Sequence, residues 1–246
     1  MKCKLPAKAV RGLEGKTALV TGATRGIGLA VARELAREGC RVFATGRDVK
    51  ALTRVERELA ALGEASSLSC DVRDDASVEQ LAAAVKREFT WLDILINNAG
   101  ISQANTPVAK MSSELWRDVI ETNLTSLFLI THAVLPLMRS GGTIVNTLSV
   151  AARQAFAGMS AYCASKYGAL GFTETLREEV RERGIRVTAL IPGATDTAIW
   201  ETLWPDAPRE KMMKPETVAM AVINALKLPE DAVIEEIVLR PRVGTL

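Results

Sequence analysis

A chain of 246 residues, 48% hydrophobic and 24% charged, can bury one large core, and nothing in it argues for splitting. Its 31 basic and 29 acidic side chains leave a net charge of +2 with both signs interspersed, which excludes the basic stripe that nucleic-acid binding requires. The four cysteines (Cys3, Cys40, Cys70, Cys163) lack Cys-x-x-Cys spacing, and the single His132 leaves too few ligands for a zinc site, so no metal is expected.

Residues 1–12 read as a basic extension with no apolar stretch behind it, and no run reaches transmembrane length, so a cytoplasmic protein without a membrane partner is expected. From residue 13 onward, short apolar runs predict strands at Thr17 to Val20, Arg41 to Thr45, Ser67 to Cys70, Asp93 to Ile96, Thr143 to Leu148, Arg186 to Ile191 and Glu235 to Leu239. They lack the in/out alternation of a one-sided sheet and read as buried on both faces, as parallel strands covered by helices are. Between them, amphipathic spacing predicts helices at Ile27 to Glu38, Ala76 to Phe89, Ser113 to Met138, Ala161 to Arg183 and Pro215 to Leu226. Asp48 suits a helix N-cap, and Gly39 and Gly184 sit where helices end. The alternation predicts an α/β fold: a Rossmann-like, doubly wound parallel seven-stranded sheet with helices on both faces, one domain over residues 13–246. Residues 194–214, rich in Pro, Trp and charge, form the least regular segment and are expected to act as a mobile lid.

Chemistry-bearing residues fall at the strand ends. Gly22, Gly26 and Gly28, in Thr21-Gly22-Ala23-Thr24-Arg25-Gly26-Ile27-Gly28, lie between the first strand and first helix, where the missing β-carbon lets backbone amides approach a pyrophosphate. Without a ligand such a turn is merely flexible, and its TGxxxGxG spacing differs from the GxGxxG fingerprint. Asn97-Asn98-Ala99-Gly100 ends the fourth strand, Ser149 follows the fifth and Pro192-Gly193 the sixth. Tyr162 and Lys166, in Tyr-Cys-Ala-Ser-Lys, share one helix face. An ammonium beside a phenol favours phenolate, so the tyrosine pKa is expected to fall toward the range of an acid/base catalyst.

Together these motifs resemble the short-chain dehydrogenase/reductase family over about residues 13 to 240. The resemblance implies that Tyr162 is the general acid/base on the substrate oxygen, and that Lys166 bonds the nicotinamide ribose and depresses the tyrosine pKa. Ser149 would polarise or steady the substrate carbonyl, and Asn123, in Glu121-Thr122-Asn123-Leu124-Thr125, would be the residue whose helix distortion supports a proton-relay water. Taken alone, Ser149 is an end-of-strand hydroxyl and Asn123 a polar residue inside a helix. Cofactor binding is implied for Gly22, Thr24, Arg25, Gly26, Ile27 and Gly28, for Asn98, Ala99 and Gly100 beside the ribose and nicotinamide, and for Asp71 with Val72 at the adenine. Asp71 equally suits a cap for the turn that follows it. Pro192, Gly193, Thr195 and Thr197 would hold the carboxamide end, Thr195 through its backbone and Thr197 through its hydroxyl. His132 is assigned no role.

NAD enzymes carry an acidic residue at the end of the second strand, where it repels a 2′-phosphate. Here that place is Gly46, followed by Arg47, and with Arg25 two guanidinium groups can converge on a phosphate, so NADP(H) is expected. Substrate contacts are expected from Ser149, Gln154, Met159, Tyr162 and Trp200, with Ile101 and Ser102 near by. Trp200 and Trp204 either close an apolar pocket or pack as structure or subunit interface. For an acyl carrier only Arg153, Arg209 and Lys211 stand as entrance cations. The expected activity is NADPH-dependent reduction of a ketone or 3-oxoacyl carbonyl to an alcohol. The alternatives are an alcohol dehydrogenase working in the oxidative direction, a non-catalytic NADP(H) sensor, and an epimerase or dehydratase. The partner is a small-molecule carbonyl or alcohol. The two long predicted helices carry more apolar surface than one sheet face covers, and the resemblance implies a homotetramer, or a homodimer, built across them.

Overall fold

Seven strands form one sheet: β1 (Thr17–Thr21), β2 (Arg41–Gly46), β3 (Ala65–Ser69), β4 (Leu92–Asn97), β5 (Met138–Thr147), β6 (Arg186–Pro192) and β7 (Glu236–Leu239). All pairings are parallel, in the order β3-β2-β1-β4-β5-β6-β7. This computed structural model describes residues 12–244, so all but the last residue of the expected 1–12 extension, Cys3 included, lies outside the described residues. The helices are α1 (Gly26–Arg37), α2 (Val49–Ala60), α3 (Asp75–Glu88), α4 (Ser113–Ile120), α5 (Ser126–Val134), α6 (Ser160–Val180), α7 (Trp200–Leu203) and α8 (Pro215–Leu226).

Successive side chains of the central strands enter opposite layers. Ala18 and Val20 of β1 and Ile94 and Ile96 of β4 pack with Val31 and Leu35 of α1 and Val222 of α8. Leu19 and Leu95 point the other way, onto Leu81 and Val85 of α3, Ile130 of α5 and Leu176 of α6. Each fully buried aliphatic side chain contributes about 1.5–3 kcal/mol, so two buried faces per strand account for the run-like hydrophobicity of the sequence. The expectation of two buried faces fails at the sheet edges. No residue of β3 is fully buried, and Val238 of β7 is 48% exposed. A strand with one neighbour is covered less, and β3 uses serines instead, Ser66 and Ser67 donating to Glu88 and Glu56.

The helix expected over Ser113 to Met138 is not continuous. α4 runs into a widened π turn at Glu121–Thr125, α5 follows, and a 3-10 turn at Leu135–Leu137 containing Pro136 ends it, with Met138 already in β5. Contrary to the sequence expectation, the stretch Ser113–Leu137 is long and apolar enough to cross a bilayer by length and composition. Its apolar residues Ile130 and Val134 are spent on the sheet. Trp116, Phe128 and Tyr167 remain exposed on α4, α5 and α6, the helices on which the assembly expectation rests. The caps agree with the sequence: Asp48 accepts from the Ala51 amide, and Gly39 and Gly184 follow helix ends in the left-handed region.

Chain order reverses between β1 and β4. Crossovers leave in opposite directions from this pair, which opens a crevice at the strands' carboxyl ends. The glycine turn after β1 and Asn98–Gly100 after β4 face each other across it.

Candidate active site

The crevice is a cleft of about 900 Å³ running across the carboxyl ends of the sheet. Of the catalytic, cofactor-binding and substrate-contact residues expected from the sequence, all but Gly28, Asn123 and Gln154 line it, whereas the entrance cations Arg153, Arg209 and Lys211 lie outside the lining.

At one end the backbone itself is the wall. Gly22 has φ +63°, and a β-carbon there would lie 2.9 Å from the Ala99 Cα. A β-carbon on Gly28 would sit 2.3 Å from the Gly22 carbonyl oxygen and 2.4 Å from Asn98 Nδ2, so Gly28 packs beneath the turn and lets it close. Asn98 Nδ2 donates to the Thr21 and Gly22 carbonyls, both at 3.2 Å. The buried Thr21 hydroxyl accepts from the Asn98 and Ala99 amides at 2.9 and 3.1 Å, stitching the two loops together. In the sequence Thr21 reads only as the first residue of the glycine motif, with no role of its own.

α1 starts at Gly26 with Arg25 in the N-cap position and no acidic residue in its first turn, leaving an electropositive helix end facing the cleft. Arg25 and Arg47 are exposed at the cleft wall, and neither makes an ion pair among the described residues. Gly46 is buried, and a β-carbon there would press on the Thr24 methyl at 2.9 Å. Asp71 accepts from the Arg73 amide at 3.1 Å and pairs with its guanidinium at 2.7 Å, so the turn-capping reading holds. The Arg73 hydrogen bond holds the Asp71 carboxyl below the usual range, with a smaller contribution from Arg47.

The other end carries the titratable set. α6 brings Tyr162 and Lys166 onto one face, with Lys166 Nζ 5.7 Å from the Tyr162 ring centroid and donating to the Thr147 carbonyl at 3.1 Å. Ser149, past the end of β5, accepts from the Ala151 amide at 3.1 Å. The expected electrostatic order is reversed in the protein itself. Burial pushes the Tyr162 phenol above its usual pKa, and contact with the Ser149 hydroxyl offsets only part of this. Lys166, 5% exposed, is pushed down to about 8 by the same cause. Burial is the leading cause for both groups, since each is taken from water.

Asn123 sits in the π turn, as a distortion of this helix would place it. Its Oδ1 accepts from the Ile101 amide at 2.8 Å, and its Nδ2 donates to the Ile101 carbonyl at 2.9 Å and the Ser165 hydroxyl at 3.1 Å. It lies behind Gly100, where a β-carbon would meet Asn123 Oδ1 at 3.2 Å. The hydroxyls of Thr122 and Thr147, both in the cleft wall, are buried without a hydrogen-bond partner among the described residues.

On the substrate side, Gln154 is a correction. Its amide bonds back to Val150 at 3.0 Å, which closes a turn that carries the side chain out to solvent, away from the cleft. The wall is instead Ile101, Ser102, Phe156, Met159, Leu203 and the two tryptophans. Trp200 donates from Nε1 to the Thr195 carbonyl at 2.8 Å, and its ring meets Trp204 edge-on at 6.5 Å between centroids. The lid segment is therefore tied at Thr195, whose hydroxyl is committed to Gly193 at 3.0 Å. Of the entrance cations, Arg209 pairs with Asp196 at 2.7 Å and Arg153 pairs with Glu236. His132 stacks on Phe128 at 5.5 Å, away from the cleft lining.

Known proteins resemble this chain in sequence and fold. The sequence profile of the short chain dehydrogenase family matches residues 16–208. The 3-oxoacyl-[acyl-carrier-protein] reductase FabG of Escherichia coli is 40% identical over 195 residues, 78% of this chain and 79% of that one. Among solved structures, the alcohol dehydrogenase from Thermococcus sibiricus complexed with 5-hydroxy-NADP superposes with a TM-score of 0.88 at 32% identity, covering 95% of this chain and 99% of that one. A variant of the actinorhodin polyketide ketoreductase with NADPH gives 0.83 at 33% identity, with 94% and 98% covered.

Proposed function

The chain belongs to the short chain dehydrogenase family and is an NAD(P)-dependent oxidoreductase. From that premise we propose that it reduces an apolar ketone or 3-oxoacyl carbonyl to an alcohol with NADPH, Tyr162 supplying the proton. The observation that carries this reading is the composition of the cleft: a backbone cradle with two uncommitted guanidinium groups at one end, and Ser149, Tyr162 and Lys166 together at the other.

The residues present fit an extended dinucleotide. A side chain at Gly22 or Gly28 would collide with the facing backbone and disrupt the cradle, and the unpartnered Thr122 and Thr147 hydroxyls leave polar capacity in the wall. Bound there, NADPH supplies the hydride. The turn's amides and the start of α1 would receive the pyrophosphate, and Arg25 and Arg47 would pair with the 2′-phosphate. NADP-bound relatives and the absence of an acid at Gly46 support this choice over NAD. Replacing Arg47 with Ala should weaken NADPH binding about tenfold or more, the worth of a charge-assisted hydrogen bond, and leave NADH nearly unaffected. Titrating both nucleotides against the variant decides it, and unchanged NADPH affinity would remove Arg47 from the site.

At the reacting end, Ser149 donates to the substrate oxygen and Tyr162 gives it the phenolic proton. Burial keeps the phenol in its neutral, proton-bearing form at pH 7, which is the form a reductase needs. Lys166 contributes a positive field beside the tyrosinate left after transfer. With its pKa pulled to about 8, that field is present at neutral pH and fades above it, so reduction should slow as pH rises through about 8. A pH–rate profile flat to pH 10 would contradict a role for the ammonium.

The apolar wall of Phe156, Met159, Leu203 and the tryptophans supports an unattached carbonyl compound, and two of the three entrance cations for a carrier protein, Arg153 and Arg209, are engaged in ion pairs. NADPH consumption against ketones, 3-oxoacyl thioesters free and carrier-bound, quinones and sugar ketones tests the proposal. Turnover that ranks apolar ketones first supports it, and none across the panel with NADPH bound would favour a sensor.

A further inference from the structure

Three helices of this fold close their N-termini locally. Asp48, Asp74 and Ser112 occupy the N-cap positions of α2, α3 and α4 and accept from the amides of Ala51, Ser77 and Leu115, three residues on, at 3.0, 2.9 and 3.1 Å. α6 does not. Its N-cap is Met159, a buried cleft-wall residue with no polar atom to offer the helix. The Met159 backbone, at φ −117° and ψ 29°, also departs from the extended geometry from which a local cap would reach.

The amide three residues beyond Met159 belongs to Tyr162. It donates to Gln103 Oε1 at 3.1 Å, an acceptor 59 residues away in the chain. Gln103 is 1% exposed, and its Nε2 donates to the Gly158 carbonyl at 3.0 Å, so one amide side chain spans the entry to α6 from both sides. Its loop is further fixed there by Thr106, whose amide donates to Gly158 at 2.9 Å, and by Asn105, whose Nδ2 donates to Ala157 at 3.0 Å. The same loop begins at Ile101, held by Asn123, immediately after the Asn98–Gly100 cofactor segment.

We propose that Gln103 is the positioning residue of the reaction: a long-range cap that fixes the first turn of α6, and with it the Tyr162 phenol, relative to the cofactor segment, leaving position 159 free to be apolar pocket wall. This inference rests on Tyr162 as the proton donor. A buried amide with both functions satisfied is costly to replace, and a small displacement of a reacting group lowers the rate without weakening ligand binding.

The test is a set of variants read by kcat, carbonyl KM and NADPH dissociation constant. Gln103→Met, of similar volume without the hydrogen bonds, should lower kcat about tenfold to a hundredfold with NADPH affinity nearly unchanged. Gln103→Glu keeps an acceptor for the Tyr162 amide and should recover most of that loss. Gln103→Met added to Tyr162→Phe should cost little further, since a residue acting through Tyr162 has nothing left to position. If Gln103→Met fails to fold, Gln103→Asn, one methylene too short to span both partners, gives the same readings. The proposal is overturned if kcat holds in Gln103→Met, if NADPH binding falls as far as kcat, if losses add fully in the double variant, or if Asn105→Ala lowers kcat equally. An active Tyr162→Phe would overturn the proton-donor reading as well, whereas an inactive Tyr162→Phe beside a normal Gln103→Met would overturn this inference alone.

Discussion

Tyr162→Phe should lower the turnover number for carbonyl reduction by about 10²-fold or more while leaving NADPH binding nearly unchanged, because positioned proton transfer contributes about 10²–10⁴-fold. The change removes one oxygen and keeps the ring, so the packing of α6 against the cleft wall persists. It also removes the phenolic proton donor beside the Lys166 ammonium, whose Nζ lies 5.7 Å from the ring centroid. Ser149 cannot replace it, since an alkyl hydroxyl holds its proton far more tightly than a phenol. The check is kcat by NADPH absorbance together with NADPH affinity by fluorescence. Retained turnover would mean that another acid serves the substrate oxygen, and a parallel loss of NADPH affinity would mean that the phenol serves binding.

Gly28→Ala should have an effect of comparable size by a different route. The added methyl would lie 2.3 Å from the Gly22 carbonyl oxygen and 2.4 Å from Asn98 Nδ2, closer than carbon can approach either. Relief requires moving the backbone at Gly22 or rotating Asn98 off the Thr21 and Gly22 carbonyls, and either motion opens the cradle. Overpacking of this kind costs about 1–3 kcal/mol of stability. The loss in NADPH affinity should be about 10²-fold, since pyrophosphate binding depends on the turn's amides keeping their directions. Thermal denaturation with and without NADPH reads both quantities: a lowered melting temperature that NADPH no longer raises is the expected result. A variant stabilised by NADPH as well as the parent is would show that the turn has slack.

Much of this site was legible in the sequence because its residues act through local geometry. A glycine at a strand end, an Asp preceding a helix, and a Tyr and Lys four residues apart each carry their meaning within one turn of chain. The interruption of the helix at Asn123 was not legible on this scale: apolar spacing predicted one continuous helix over Ser113 to Met138, and only the family resemblance implied a distortion there. Gln154 failed on the same scale: its position along the chain suggested the pocket, but past the 3-10 turn at Val150–Ala152 it is exposed and outside the cleft lining. The direction of the Tyr162 pKa shift failed for another reason. Spacing reports that an ammonium is near a phenol but says nothing about how much water both have lost, and burial is the first cause of both shifts.

By itself the sequence determined where the seven strands lie, four of the helices between them, the glycine turn after the first strand and the Tyr162–Lys166 spacing, since hydrophobic runs, caps and side-chain periodicity are short-range properties. Only the tertiary structure decided which distant groups meet. Thr21 joins two loops through its hydroxyl, Thr147 takes the Lys166 ammonium on its carbonyl, and Gln103 caps a helix 59 residues downstream. Parallel pairing brings strand ends together whatever their separation in the chain, and the hydrogen bonds made there depend on burial and register, which no local pattern encodes.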